Sequence, residues 1–508
     1  MPPRYIKPQS FIPSFFIRES ALNDLYILRF RQLQAQAFYF IKFYNQMCIN
    51  WRFTGMLTLL KVEKILEIFK AYDVRGLYPQ QINEQVVRRI GEAYTAILKP
   101  RKVAVGRDVR AHGESLKKEL IESLLSVGVD VVDIGVITTD QLYFAVGRYG
   151  FDGGLSVTAS HNPGEYNGLK FAEAGAAPIS SENLASIGKW AASNNKLSRT
   201  KKGELSEQSL LDAYVEHILK YVDPALIKPL RVVANANFGA AGRALEKIAA
   251  KLDLDLERMN WQEDGSFPKG PPNPLLAENR DETVSVIKKV KPDFAVAWDA
   301  DADRCFFFAG DGTFIPSAYI IAILAPLFLE KYPGAKIVHD FTTAWVIDDA
   351  IKQAGGLPVT NRTGHTFIKA RMRQEDAPFA GESSGHYYFR ESYYADNGIV
   401  PFLLVLQLVS ESGRSLLELV SPLMEKYKIS GEINFTVKDP QQSLARIEEH
   451  FGPRGKVDKM DGLAISTDEW RFNVRPSNTE PLFRLNAEAY DQVALDKLVK
   501  EIAELINT

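Results

Sequence analysis

The stretch KVAVGRD, Lys102 to Asp108, is a short apolar run that ends in polar residues. A helical stretch follows, Ser115 to Val127, with Leu116, Leu120, Ile121 and Leu124 on one face. VDVVDIG (Val129 to Gly135) then reads as a second strand. After another helical stretch, GGLSVTASHNP (Gly153 to Pro163) gives a third strand and a loop. The same order returns at RVVANAN (Arg231 to Asn237), with a helix from about Ala241, then LDLERMN (Leu254 to Asn260) and DFAVAWDADADR (Asp293 to Arg304). It returns again at KIVHDFT (Lys336 to Thr342), with a helix near Trp345 to Gln353, then LPVTNR (Leu357 to Arg362) and PFAGESSGHYYF (Pro378 to Phe389). Strands alternating with helices imply mainly parallel sheets with helices on both faces. Ligands in such sheets sit beyond the carboxyl ends of the strands. Each repeat carries its most unusual polar loop after its last strand, so three related α/β domains should pool those loops at one site.

The remainder breaks the pattern. EINFTV and DEWRFNVRPSN read as strands and DQVALDKLVKEIAELIN as an amphipathic helix, which predicts a smaller C-terminal α+β domain. The first segment, up to about Thr54, is crowded with aromatics and its charges are mostly basic. Neither strand nor helix periodicity persists through it. It is a targeting or partner-binding arm, or the start site is assigned too early and translation begins near Met47 or Met56. The expected division is 1–56 as an extension, 57–205 carrying TASHNP, 206–311 carrying the aspartates, 312–425 carrying GESSGH, and 426–508.

Composition fits a folded protein, with 46% hydrophobic and 24% charged residues. The net charge of -2 gives no overall basic field for nucleic acid or an acidic membrane. Two cysteines, Cys48 and Cys305, cannot build a disulfide framework, which fits a reducing compartment. Without a membrane-length apolar run or a secretory signal, a cytoplasmic protein is expected.

DADAD supplies Asp299, Asp301 and Asp303. On an extended backbone alternate residues share a face, so these carboxylates should point together. Like charges so placed repel unless a cation intervenes, and all-oxygen ligation suits Mg²⁺. A calcium EF-hand is excluded, because its glycine and glutamate positions hold Arg304 and Gly310. Ser160 lies beside His161 but lacks the G-x-S-x-G elbow of α/β-hydrolases. Neighbours on an extended chain point to opposite faces, so His161 should be poorly placed as its base. GESSGH groups Glu382, Ser384 and His386 in a glycine-flanked loop that suits a polyol, or is a plain polar turn. RPSNTEP joins Arg475 to Ser477, Asn478 and Thr479, a phosphate cradle or a capped turn. FKAYDVRG and NRTGHTFIK offer Tyr72, Arg75, His365 and Lys369 as weaker candidates. Cys305 should be a small buried residue.

In combination, TASHNP, DADADR, GESSGH and RPSNTEP resemble the α-D-phosphohexomutase superfamily, in order, from about Phe69 to the C-terminus. That resemblance implies four domains around a deep central cleft. It implies that Ser160 is a phosphoserine, and that Asp299, Asp301, Asp303 and a phosphoryl oxygen of Ser160 hold one Mg²⁺. Arg304 would lie beside the reacting phosphate. Glu382 and Ser384 would read sugar hydroxyls, and Arg475, Ser477, Asn478 and Thr479 would hold the remote phosphate. Tyr72, Asn162 and His365 match other cleft positions. Lys170, His386 and Arg75 are the candidates for acid–base work. The implied reaction is a phosphomannomutase/phosphoglucomutase interconversion of hexose 1-phosphate and hexose 6-phosphate. Hexose 1,6-bisphosphate serves as activator and intermediate. Asn478 departs from the glycine usual in the glucosamine branch, and Ser383 departs from the methionine frequent in the mannose/glucose branch. The alternatives are a phosphoglucosamine mutase and a non-catalytic sugar-phosphate binder. The chain is expected to act as a monomer or homodimer.

Overall fold

The computed structural model describes residues 65–198, 201–437, 439–476 and 482–507. The segment 1–56 therefore lies outside the described residues. Among the described residues the strands form four sheets.

Three of these sheets share one plan. In each, the first strand of the repeat is central, the second flanks it on one side and the third on the other. The central strands are Lys102–Arg107, Arg231–Asn235 and Lys336–Asp340. Each is parallel to its two neighbours. Their middles are buried because helices cover both faces: Val103, Ala104 and Val105 are fully enclosed, and Leu116, Leu120 and Leu124 of helix Gly113–Ser126 pack on one side.

To this parallel core each sheet adds an antiparallel return beside the third strand. Tyr166–Glu173 pairs with Gly153–Val157, Cys305–Ala309 with Phe294–Trp298, and Tyr387–Phe389 with Phe379–Gly381. Alternation of strands and helices does not reveal these returns. They have a direct consequence for function. TASHNP, DADAD and GESSGH are the connections between a third strand and its return, so all three occupy equivalent places at the carboxyl ends of parallel strands.

The last sheet is wholly antiparallel, running Lys428–Ile429, Phe483–Ala489, Trp470–Pro476, Leu463–Ser466, Lys456–Asp458. Its hydrophobic core, including Ile447, Phe451, Phe472, Leu485 and Ile502, is separate from the others. The second and third repeats instead share one core. Trp298 meets Phe402 edge to face at 5.7 Å, and its ring N–H donates to Gly398 O at 2.7 Å. Apolar burial of this extent makes the two middle units a rigid base.

Candidate active site

Ser160 is fully buried and its φ is +51°. Its N–H donates to Thr158 Oγ1 at 2.9 Å, and its hydroxyl donates to Asp299 Oδ2 at 2.9 Å. The left-handed backbone overturns one expectation. Because the chain is not extended at Ser160, His161 Nδ1 comes within 3.3 Å of the Ser160 hydroxyl instead of pointing away. Burial, then Arg304 and Arg75, hold this imidazole well below its usual pKa. It is neutral.

The aspartates also converge by a different route from the one expected. Residues 299–303 form a turn, with Ala302 at φ +51° and its N–H donating to Asp299 O at 3.1 Å, rather than an extended segment. One oxygen from each of Asp299, Asp301 and Asp303 lies within 4.8 Å of the others, and all three residues are buried. Burial and the two neighbouring carboxylates raise the Asp299 pKa well above the ordinary value. For Asp303, burial opposes ionisation but Lys170 and His386 outweigh it and hold the pKa well below that value. Asp301 Oδ1 and Asp303 Oδ1 are buried without a hydrogen-bond partner. Unsatisfied oxygens on an all-carboxylate set fit a hard divalent cation.

Basic groups face this loop. Lys170 donates to Asp301 Oδ2 at 2.7 Å and to Asp303 Oδ2. Burial opposes its charge, but these carboxylates outweigh the desolvation and raise its pKa. Arg304 N donates to Asp299 Oδ1 at 3.2 Å, and its Nε stands 3.4 Å from His386 Nε2. His386 Nε2 is 3.6 Å from Asp303 Oδ2, and its Nδ1 is 2.9 Å from Ser384 Oγ. Arg75 binds Asp73 through Nε and Nη2, and reaches Asn162 Oδ1 through Nη1 at 2.7 Å. Loops of three repeats thus meet around the aspartates, with Ser160 on Asp299 and His386 on Asp303.

Glu382 is buried, accepting Gly364 N–H at 2.7 Å on Oε1 and the Tyr388 hydroxyl on Oε2. His365 packs edge-on to Tyr72 at 4.6 Å, and neither of its ring nitrogens has a hydrogen-bond partner. Burial, then Lys369, hold its pKa well below the ordinary histidine value. Arg475 is buried at the end of strand Trp470–Pro476. Ser477, Asn478 and Thr479 lie outside the described residues. Cys305 is fully buried, as expected.

Four profiles of one family cover the described chain in succession. They are "phosphoglucomutase/phosphomannomutase" alpha/beta/alpha domain I over residues 66–197, domain II over 212–312, domain III over 316–427 and the C-terminal domain over 432–505. The chain belongs to the phosphoglucomutase/phosphomannomutase family. A phosphomannomutase of Salmonella montevideo is 44% identical over 457 residues, covering 87% of this chain and 99% of the relative. The phosphohexose mutases of Xanthomonas campestris are 44% identical over 444 residues, with the same coverage. A crystal structure of a phosphoglucomutase/phosphomannomutase family protein from Burkholderia thailandensis superposes with a TM-score of 0.79 at 29% identity, covering 87% of this chain and 97% of that one. Membership of this family makes the chain an isomerase of carbohydrate metabolism.

Residues outside the family motifs also shape the site. Arg110 is fully buried and spends all five N–H donors: on Asp108 Oδ2, and on the carbonyls of Ser160, Asn162, Pro163 and Tyr166 at 2.6–2.9 Å. Thr139 Oγ1 donates to Asp301 Oδ2 at 2.6 Å from the start of helix Thr139–Tyr149. Asp340 accepts the Ser383 N–H and hydroxyl at 3.3 and 3.1 Å, and the Thr342 hydroxyl. For Arg110 and Asp340 the signal is the polar ending of a repeat's first strand, GRDVR and HDFTT; Thr139 carries none.

Proposed function

We propose that the chain is a phosphomannomutase/phosphoglucomutase, interconverting hexose 1-phosphate and hexose 6-phosphate through phosphoserine at Ser160. The observation that carries the proposal is the buried Ser160 hydroxyl, 2.9 Å from Asp299 Oδ2, an oxygen that Arg304 Nε approaches to 3.8 Å. Phosphoserine gives its phosphoryl group to the free hydroxyl of the bound hexose phosphate. The P–O bond to Ser160 breaks, a P–O bond to the sugar forms, and hexose 1,6-bisphosphate results. That bisphosphate turns over in the site, its other phosphoryl group returns to Ser160, and the isomeric hexose monophosphate leaves.

The chain's own residues supply position and charge, which dominate phosphoryl transfer. Arg304 faces the reacting phosphate. Glu382 and Ser384 hold sugar hydroxyls, with Tyr72 and His365 lining the same side. Arg475, with Ser477, Asn478 and Thr479, anchors the remote phosphate. The sugar hydroxyl gives up a proton as Ser160 Oγ regains one; Lys170, held charged by its carboxylates, is suited to give that proton, and His386 and Arg75 are the other candidates for this proton traffic. One Mg²⁺, held by Asp299, Asp301, Asp303 and an oxygen of phosphorylated Ser160, would neutralise phosphoryl-oxygen charge.

The test is incubation with mannose 1-phosphate or glucose 1-phosphate, Mg²⁺ and a trace of hexose 1,6-bisphosphate. The matching 6-phosphate should form, faster than with glucosamine phosphates, and intact mass spectrometry should place one phosphoryl group on Ser160. Ser160→Ala should abolish both. No turnover of mannose or glucose phosphates, or inorganic phosphate released in proportion to substrate consumed, would overturn the proposal.

A further inference from the structure

One carboxylate joins the proposed phosphate cradle to the sugar side of the site. Asp461 belongs to the C-terminal domain, in the turn before strand Leu463–Ser466. Its Oδ2 accepts the Thr363 N–H at 3.0 Å and stands 3.8 Å from Arg475 Nε. Asn473 Nδ2 donates to Asp461 O at 2.6 Å and fixes the turn. Gly462 follows at φ +77°, and a Cβ there would come 2.6 Å from Arg475 Cβ. A larger residue at this point would push the turn off the arginine.

The partner across the gap is equally specific. Thr363 N–H is held by Asp461, and the next amide, Gly364 N–H, is held by Glu382 Oε1 at 2.7 Å. Two successive amides are thus gripped by two carboxylates from different domains, immediately before His365. Arg475 Nε is buried without a hydrogen-bond partner, so Asp461 steers the guanidinium by charge across 3.8 Å and not through a bond.

We propose that Asp461 is a positioning residue that ties Arg475 to the Thr363–Gly364 turn. The arginine that anchors a phosphate dianion and the turn that binds Glu382 and leads into His365 are then set by one side chain. Engagement of the remote phosphate and alignment of the sugar are coupled through it. This inference rests on the phosphate-binding role proposed for Arg475.

The test compares wild type, Asp461→Asn and Asp461→Ala. Asparagine keeps an oxygen for the Thr363 N–H and removes the charge that faces Arg475, whereas alanine removes both. Calorimetric titration of the dephosphorylated enzyme with glucose 6-phosphate reads the phosphate arm without turnover, and steady-state kinetics read the sugar arm. Both variants should bind glucose 6-phosphate about 5- to 10-fold more weakly, the scale of one charge-assisted contact. Asparagine should raise KM more than it lowers kcat, and alanine should lower kcat by about a further 10-fold. Wild-type affinity in both variants would overturn the proposal, as would equal kcat values for asparagine and alanine. A wild-type protein that binds glucose 6-phosphate but turns over neither sugar would refute the mutase function instead. The binding comparison would then decide the role of Asp461 alone.

Discussion

Replacing Arg110 by lysine should dismantle the Ser160 loop while leaving the charge in place. The guanidinium makes five hydrogen bonds inside a fully buried pocket, four of them to the carbonyls of Ser160, Asn162, Pro163 and Tyr166 and one to Asp108. Lysine has three donors on a single atom, so at least two of the five bonds are lost. At about 1.5 kcal/mol for each bond to a charged group, that is roughly 3 kcal/mol. For a domain of this size it corresponds to a fall in melting temperature of roughly 10 °C. Arg110→Met should be worse, because it strands Asp108 as a buried uncompensated carboxylate, at about 3–5 kcal/mol. Thermal unfolding reads the stability. Hydrogen exchange over residues 159–166 and the rate at which Ser160 takes up a phosphoryl group from hexose 1,6-bisphosphate read the loop. The lysine variant should show faster exchange there and phosphorylation slowed by at least about 10-fold, since a displacement of about 1 Å costs reactivity steeply. If it melts with the wild type and is phosphorylated at the same rate, Arg110 does not hold the loop.

Asp140 is buried where helix Thr139–Tyr149 meets Tyr214 and Asn397, and its pKa is pushed up to about 7, chiefly by burial. Its folded pKa lies above the unfolded one, so the native state binds the proton more tightly, and stability falls as pH rises from about 4 to about 7, by roughly 4 kcal/mol in all. Asp140→Asn removes this slope: denaturation midpoints at pH 5 and pH 8 should favour the variant over wild type increasingly at the higher pH, and parallel profiles would reject the argument. Glu488 is buried and accepts Arg471 Nη1 at 2.7 Å together with the Ala344 and Trp345 N–H groups at 2.9 and 3.2 Å. Glu488→Gln leaves Arg471 unpaired and should cost about 3 kcal/mol, with Arg471→Met added to it recovering part of the loss. Unchanged thermal unfolding of the single variant would refute this.

The fold's periodic features were legible and its directional ones were not. KVAVGRD, RVVANAN and KIVHDFT announced three central strands because buried parallel strands read as short apolar runs. The returns Tyr166–Glu173, Cys305–Ala309 and Tyr387–Phe389 carry the same apolar signature, and nothing in composition says that a strand runs backwards. The site was legible wherever chemistry concentrates in one short segment, as in DADAD. It was illegible where a role depends on backbone dihedrals or distant pairing. Ser160 and His161 are adjacent at 3.3 Å only because Ser160 is left-handed. Arg110 is an ordinary arginine until the chain brings four carbonyls to it from residues 160–166.

The equivalence of the three loops has an electrostatic reason. A phosphoryl group on Ser160 places close to two negative charges beside Asp299, itself crowded by Asp301 and Asp303. No single loop holds enough positive charge to offset that. Lys170 comes from the return strand after TASHNP and Arg304 from the end of DADAD, where His386 of GESSGH stands against it. The offset exists only while those loops keep register, to within the tolerance that phosphoryl transfer allows. The shared core of the second and third repeats, pinned by Trp298 against Phe402, supplies that register for Arg304 and His386. Thr139, bonded to Asp301 through both its N–H and its hydroxyl, supplies it for the first repeat. The C-terminal domain has a core of its own and meets the third repeat through Glu488, Asp461 and Arg471; in the proposed reaction it holds the phosphate that does not react.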